Sequence, residues 1–252
     1  MADINSFFSS KNTVRKVSES DIVQLGNYLE AIEAFARTTN KSIYVIDYEK
    51  KGFEYVSDNP LFLSGHSAQE VKEMGYEFYF KYVPAEDLEL LLKINTIGFD
   101  FYEKIPLEKR KEHTISYDFH LKTKEGKHIL INQKLTPLFL TGKGKIWKAV
   151  CIVSLSTQQN SGNITIYKND GNETYRFDIN ADHWKTLEKI ELSDREREIL
   201  QYSIRGFTIT EIAENVLISP DTVKFHRKKI FEKFDVTNIS EAISYATVNR
   251  LI

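Results

Sequence analysis

A chain of 252 residues, 41% apolar and 28% charged with 16 Phe and 13 Tyr, has the composition of a globular protein of one or two domains with an aromatic core. Its formal net charge of −2 supplies no overall cationic field, so affinity for nucleic acid would have to come from a local basic face. The single cysteine, Cys151, excludes an intramolecular disulfide and a cysteine-based zinc cluster; no run approaches the ~20 apolar residues of a membrane span, and Met1 to Asn5 lack signal-peptide character, so a cytoplasmic protein without a membrane partner is expected.

Residues 1–40 divide into a polar segment, broken by Phe7 and Phe8, and a stretch from Asp21 to Thr39. There Ile22, Leu25, Leu29, Ile32 and Ala36 follow helical spacing. This predicts an amphipathic helix that covers the following domain or pairs with a second subunit. Between 41 and 157 the pattern becomes α+β. Ser42 to Asp47 and Phe53 to Val56 read as strands joined by a turn at Lys50-Lys51-Gly52. Helix starts follow at Asp58-Asn59-Pro60, at Ser67-Ala68-Gln69-Glu70 and at Pro84-Ala85-Glu86-Asp87, the last opening a longer helix toward Phe99.

Strands then return. Ile115, Tyr117, Phe119 and Leu121 alternate with Ser116, Asp118, His120 and Lys122, and Lys124 to Lys127 turns the chain into Ile129 to Leu138. A turn at Thr141 to Gly144 precedes the apolar strand Ile146 to Leu155. Such elements form an antiparallel sheet with helices on one face. Their order, with Tyr55-Val56-Ser57-Asp58-Asn59-Pro60, Ser64-Gly65-His66-Ser67, Pro84-x-Glu86-Asp87 and Lys124-Glu125-Gly126, resembles the Per-ARNT-Sim (PAS) sensory fold. That resemblance implies a small-molecule pocket, or a filled interior that serves as an interaction or dimerisation platform.

No cofactor is predicted for this domain, and a small-molecule ligand stays unidentified. Cys151 falls on the last strand, away from where a flavin adduct would form, and the helix after Pro84 has no histidine for haem iron. His113, His120 and His128 lie on or beside strands without metal-ligand spacing, so no metal site is expected. No catalytic residue is predicted, because phosphate loops, nucleophile elbows and spaced ligands are missing from the pattern, and an enzyme is not expected.

Residues 158–190 are expected to form a hairpin and a connecting helix. Asn169-Asp170-Gly171 lies between Ile164 to Tyr167 and Glu173 to Phe177, and Ala181 to Lys189, with Trp184 and Leu187, predicts the helix.

From 191 to 252 the local signals are the densest in the chain. Ser193-Asp194-Arg195-Glu196 and Thr208-Ile209-Thr210-Glu211 have capping-box form, Gly206 ends the first helix, and Ser219-Pro220-Asp221 marks the start of a third. Asn238, with Glu241 three residues on, starts a fourth. The third helix carries Lys224, Arg227, Lys228, Lys229 and Lys233 on one side, and Val223, Ile230 and Phe234 on the other. A lone cationic helix is usually a solvated face; the helix and turn before it favour nucleic acid.

Leu192-Ser193-x-Arg195-Glu196-x-Glu198-Ile199-Leu200, Gly206-Phe207-Thr208, Glu211-Ile212-Ala213, Ser219-x-x-Thr222-Val223-Lys224-x-His226, Ile230 and Lys233-Phe234 resemble the LuxR/GerE-type helix-turn-helix of bacterial transcription factors. The resemblance covers about a quarter of the chain. It implies an all-α four-helix domain whose third helix enters the major groove of double-stranded DNA, with Lys224, Phe225 and Lys228 at base or groove contacts and Thr222, His226 and Lys229 at phosphates. Phe225 is bulkier than the family's usual residue there, and Ile239 replaces a commonly basic one. The expected protein is a DNA-binding transcriptional regulator controlled by a PAS-like domain and acting as a homodimer, with RNA polymerase or another protein as a further partner. Ile239, Ile243 and Ala246 are the candidate seam residues, some of which must pack inside the module itself.

Overall fold

The alternating segment 115–121 lies in a long strand at the middle of a sheet. In the computed structural model, which describes residues 3–14, 17, 28–168, 173–187, 190–248 and 251–252, eight strands form one sheet in the order β2-β1-β5-β4-β3-β6-β7-β8. They are β1 (Ser42–Asp47), β2 (Gly52–Val56), β3 (His113–Lys122), β4 (His128–Leu140), β5 (Ile146–Leu155), β6 (Gly162–Lys168), β7 (Thr174–Asp178) and β8 (His183–Leu187). The chain divides into two compact units, Met1–Thr186 and Leu187–Ile252.

In the first unit the register sets Tyr117 opposite Gln133 and Phe119 opposite Ile131 between β3 and β4, and Tyr44 opposite Cys151 between β1 and β5. Because side chains alternate faces along a strand, these residues share the inner face. Helices α2 (Ala68–Met74), α3 (Glu77–Tyr82) and α4 (Ala85–Lys104) belong to the same unit and bury Val71, Phe78, Tyr79, Leu91, Ile94 and Phe99 in its core. Their starts follow the sequence signals. Asn59 accepts the amide of Leu61 at the start of a short 3-10 turn, Pro60–Phe62, Ser67 and Glu70 close a capping box at α2, and Pro84 immediately precedes α4. The PAS-like architecture of helices with an antiparallel sheet is therefore present.

Three expectations meet a different or incomplete outcome. Helix α1 spans Tyr28–Thr38, while 21–27 lie outside the described residues; none of its side chains is buried, and Phe35 is exposed. Strands β6 and β7 pair antiparallel as expected, although Asn169 to Gly171 lie outside the described residues. The helix predicted over 181–189 is a correction: His183–Leu187 is strand β8. Asp178 accepts the amides of Asn180 and Ala181 at 3.1 and 2.9 Å, turning the chain back, and binds Lys185 at 2.6 Å. Trp184 then packs on Phe101 and Phe177, with ring centroids 4.9 and 5.2 Å away. Strand pairing and this aromatic contact override the helix-like spacing of Trp184 and Leu187.

Beyond β8, the described elements of the second unit are helices: α5 (Asp194–Ile204), α6 (Ile209–Val216), α7 (Pro220–Phe234) and α8 (Ile239–Val248). Both expected capping boxes form, Ser193 with Glu196 and Thr208 with Glu211. Gly206, at φ +84°, takes the left-handed turn after α5 that costs a glycine little. Ser219 accepts the amide of Thr222 at 3.1 Å to start α7. At α8 Asn238 accepts the amide of Glu241, but the Glu241 carboxylate reaches back to the Thr237 amide instead.

Candidate nucleic-acid interface

Helix α7 turns a buried stripe inward. Val223, Ile230 and Phe234 are at most 3% exposed, and at about 100° per residue they define one side of the helix. The opposite row is Asp221, Phe225, Lys228 and Glu232, flanked by Lys224 on one side and Lys229 on the other. All six are exposed. The predicted Lys224, Phe225, Lys228 and Lys229 therefore lie together on one solvent-facing surface.

The other two predicted residues sit nearer the core. Thr222 is half-buried, its hydroxyl 2.8 Å from that of Ser219, so it helps fix the cap. His226 is half-buried, and its Nδ1 is enclosed without a hydrogen-bond partner among the described residues.

Charge on this face is partly paired. Lys224 binds Asp221 at 2.9 Å, three residues away, and Lys228 binds Glu232 at 3.7 Å, four away. Both pairs are exposed, and such pairs contribute only ~0–1 kcal/mol each, so a phosphate can displace the carboxylate. The Lys229 ammonium instead sits 4.6 Å from the centre of the Phe225 ring, a cation–π contact. Arg227 is half-buried, and burial holds its guanidinium below the usual arginine range.

Two residues outside the predicted set position this helix. Lys233, counted with the cationic side by spacing, donates to the Glu196 carboxylate at 2.7 Å and to the Glu191 carbonyl at 2.9 Å, tying the end of α7 to the start of α5. Burial pushes the Glu196 carboxyl up, but Lys233 and the amide and hydroxyl of Ser193 outweigh it and hold the group below its ordinary value. Arg195 joins the first two helices, binding Glu198 at 2.8 Å and the Val216 carbonyl at 3.2 Å. The capping motif signalled the position of Glu196; no local signal identified its partner 37 residues away.

Residues 191–246 match the luxR family of bacterial regulatory proteins (GerE). This part of the chain is a LuxR-type helix-turn-helix domain. Among curated relatives, the quorum-sensing regulator RhlR of Pseudomonas aeruginosa is 49% identical over 61 residues, 24% of this chain and 25% of that protein. The chain thus spans about a quarter of the length of the relatives it matches. Among solved structures, the VqmA dimer of Vibrio cholerae aligns over 88% of each chain at 18% identity and TM-score 0.36. The N-terminal domain of a diguanylate cyclase with a PAS/PAC sensor from Marinobacter aquaeolei aligns over 46% of this chain and 94% of its own at 14% identity and TM-score 0.35.

Of the three seam candidates, Ala246 is one that packs inside the helical module itself. It is fully buried in the helical core with Leu200, Ile230 and Phe234, so it is not available to a partner; Ile239 and Ile243 are partly buried against the same cluster.

The sheet unit holds a cavity of about 80 Å³ between the inner sheet face and α4. Ile46, Tyr48, Leu91, Phe99, Tyr102 and Tyr117 are among the residues that line it. At its polar side Tyr79 and Tyr44 hydroxyls are 2.5 Å apart, Tyr44 donates to Gln133 Oε1 at 2.7 Å, and Gln133 Nε2 donates to the Tyr117 hydroxyl at 2.6 Å. Since Tyr44 gives its one proton to Gln133, Tyr79 is the donor in the remaining bond. Burial holds the hydroxyls of Tyr44, Tyr79 and Tyr117 well above their ordinary pKa, so these three groups stay neutral. The Tyr102 hydroxyl is buried with no partner among the described residues.

A segment with no sequence signal also contributes a wall. Phe7 is 5% exposed and lines the cavity, and its carbonyl accepts from both Asn12 and Asn95 at 2.6 Å.

Proposed function

We propose that the chain is a transcriptional regulator that binds double-stranded DNA through α7 and is controlled by a small molecule in the cavity of its PAS-like unit. The observation that carries the DNA reading is the outward face of α7, where Lys224, Phe225, Lys228 and Lys229 stand opposite the buried row. In the groove, Lys224, Phe225 and Lys228 face base edges, while Thr222, His226 and Lys229 face phosphates. One four-helix module offers little base-reading surface, so the active species is a homodimer, with half-site centres roughly 10 base pairs apart if the sites adjoin. Sensing is favoured over a purely interacting platform by the polar groups of Tyr117 and Gln133 on one side of the cavity, whose volume of about 80 Å³ limits the ligand to a few heavy atoms.

The test measures DNA affinity of the full chain against salt, with footprinting of the bound site. A folded Lys224→Ala/Lys228→Ala variant should lose specific binding, and Lys229→Ala, which removes a phosphate contact, should reduce the slope of log affinity against log salt by about 0.9. Unchanged affinity sinks the DNA assignment. In the same assay Leu91→Phe, which fills the cavity, should shift affinity by several-fold, within the ~5–150-fold range of allosteric coupling. A folded variant with wild-type affinity removes the cavity from control.

A further inference from the structure

The base-facing surface of α7 has an apolar centre. Phe225 stands in the row opposite Val223, Ile230 and Phe234, at 54% exposure, with lysines on both flanks. Its ring neighbours are the Lys229 ammonium at 4.6 Å and the His226 ring at 5.7 Å. It supports no core, for both hydrophobic clusters of the helical unit are built from other residues.

A helix lying in the major groove meets base edges whose groups are donors, acceptors and a single apolar one, the C5-methyl of thymine. A phenyl ring offers nothing to the polar edges and strips water from them without replacement, which is unfavourable. Against a methyl group the same ring gains contact area at no polar cost. The Lys229 ammonium over the ring fixes a cation at the edge of this apolar spot, where it can meet a phosphate while Phe225 meets a base.

We propose that Phe225 is a specificity-determining residue that reads a thymine methyl in the major groove. The proposal rests on the DNA-binding role of α7 given above and adds what the site selects: a duplex with thymine at one fixed position of each half-site, for which 5-methylcytosine can substitute in part.

The test uses the full chain to select preferred sites from a random duplex pool. Each thymine of the preferred site is then replaced in turn by deoxyuridine, which removes the methyl and nothing else. One position, or its symmetry-related pair, should bind about four-fold more weakly with uracil per methyl lost. In Phe225→Ala, overall affinity should fall and thymine and uracil should bind alike at that position, while Phe225→Leu should keep part of the difference. At the same position 5-methylcytosine should bind more tightly than cytosine to the wild type only. Uracil tolerated at every thymine, or a thymine preference that survives in Phe225→Ala, overturns the proposal while leaving DNA binding intact. A pool that yields no preferred site overturns the DNA-binding reading and this proposal together.

Discussion

The two units place their polar chemistry on opposite sides of their cores. In the sheet unit, Tyr44, Tyr79, Gln133 and Tyr117 bond to one another inside, and Lys148, 3% exposed at its side chain, binds Asp47 and Glu54 at 2.6 Å each. In the helical unit the two clusters are apolar, Ser193, Thr208 and Ser219 cap helices, and the exposed lysines stand on the surface of α7. A unit that recognises a molecule within itself has to accept buried polar groups and satisfy them. A unit that recognises a molecule outside can keep an apolar core and use its surface.

The sharpest break between the two comes from one substitution in each core. Lys148→Ala leaves Asp47 and Glu54 facing each other without their cation, and removing one partner of a buried pair costs about 3–5 kcal/mol. Ile230→Ala removes a fully buried side chain from the helical core and costs about 2–5 kcal/mol. Both tryptophans, Trp147 and Trp184, lie in the sheet unit, so urea unfolding followed by tryptophan fluorescence reports that unit. Circular dichroism at helical wavelengths reports both units, since each contributes helices. Lys148→Ala should move the fluorescence transition, and Ile230→Ala should move part of the dichroism transition while leaving the fluorescence transition in place. If Ile230→Ala moves both equally, the units unfold as one.

A smaller effect separates them by pH. The folded state holds the Glu196 carboxyl below its ordinary value of 4.5, so the associated stability is fully present above about pH 4.5 and is lost as pH falls through the folded value. Glu196→Gln should lower the stability of the helical unit by about 1 kcal/mol at pH 7, a figure reduced by the partial exposure of Lys233. At pH 3 the gap between wild type and variant should narrow. Thermal melts at the two pH values measure it, and a gap that widens in acid would contradict the assignment of Glu196 as the ionised partner of Lys233.

The same contrast explains what was legible in the sequence. The helical unit announces itself through short-range chemistry: Ser193 with Glu196, Thr208 with Glu211, Gly206, and Ser219 before Pro220 are signals three or four residues long, and each one formed. In the sheet unit the strands were readable by alternation, but the site was not. Phe7 reaches the cavity through bonds from Asn12 and from Asn95, 88 residues away, which no periodicity encodes. Strand β8 was missed because Trp184 and Leu187 stand three apart, while what places them is pairing and the ring of Phe101. Which of Ile239, Ile243 and Ala246 packs inside the module was not legible either, since a small residue on an amphipathic helix does not reveal which neighbour covers it.

The smallest effect tests whether the inward chemistry of the sheet unit is structural or held for another molecule. Two buried tyrosines of this unit differ in one respect: the Tyr44 hydroxyl bonds to Gln133 and Tyr79, and the Tyr102 hydroxyl has no partner among the described residues. Tyr44→Phe strands the Gln133 oxygen, at a cost of about 1–3 kcal/mol for an unsatisfied buried group. Tyr102→Phe removes a group that is itself unsatisfied, so stability should be unchanged or rise by up to about 1 kcal/mol. Urea denaturation of the two variants, followed by tryptophan fluorescence, compares them directly. Equal losses would show that Tyr102 has a partner in the folded protein and belongs to the structural network. A loss confined to Tyr44→Phe would leave Tyr102 as a polar group of the cavity wall that the fold itself does not use, as expected of a residue kept for a ligand.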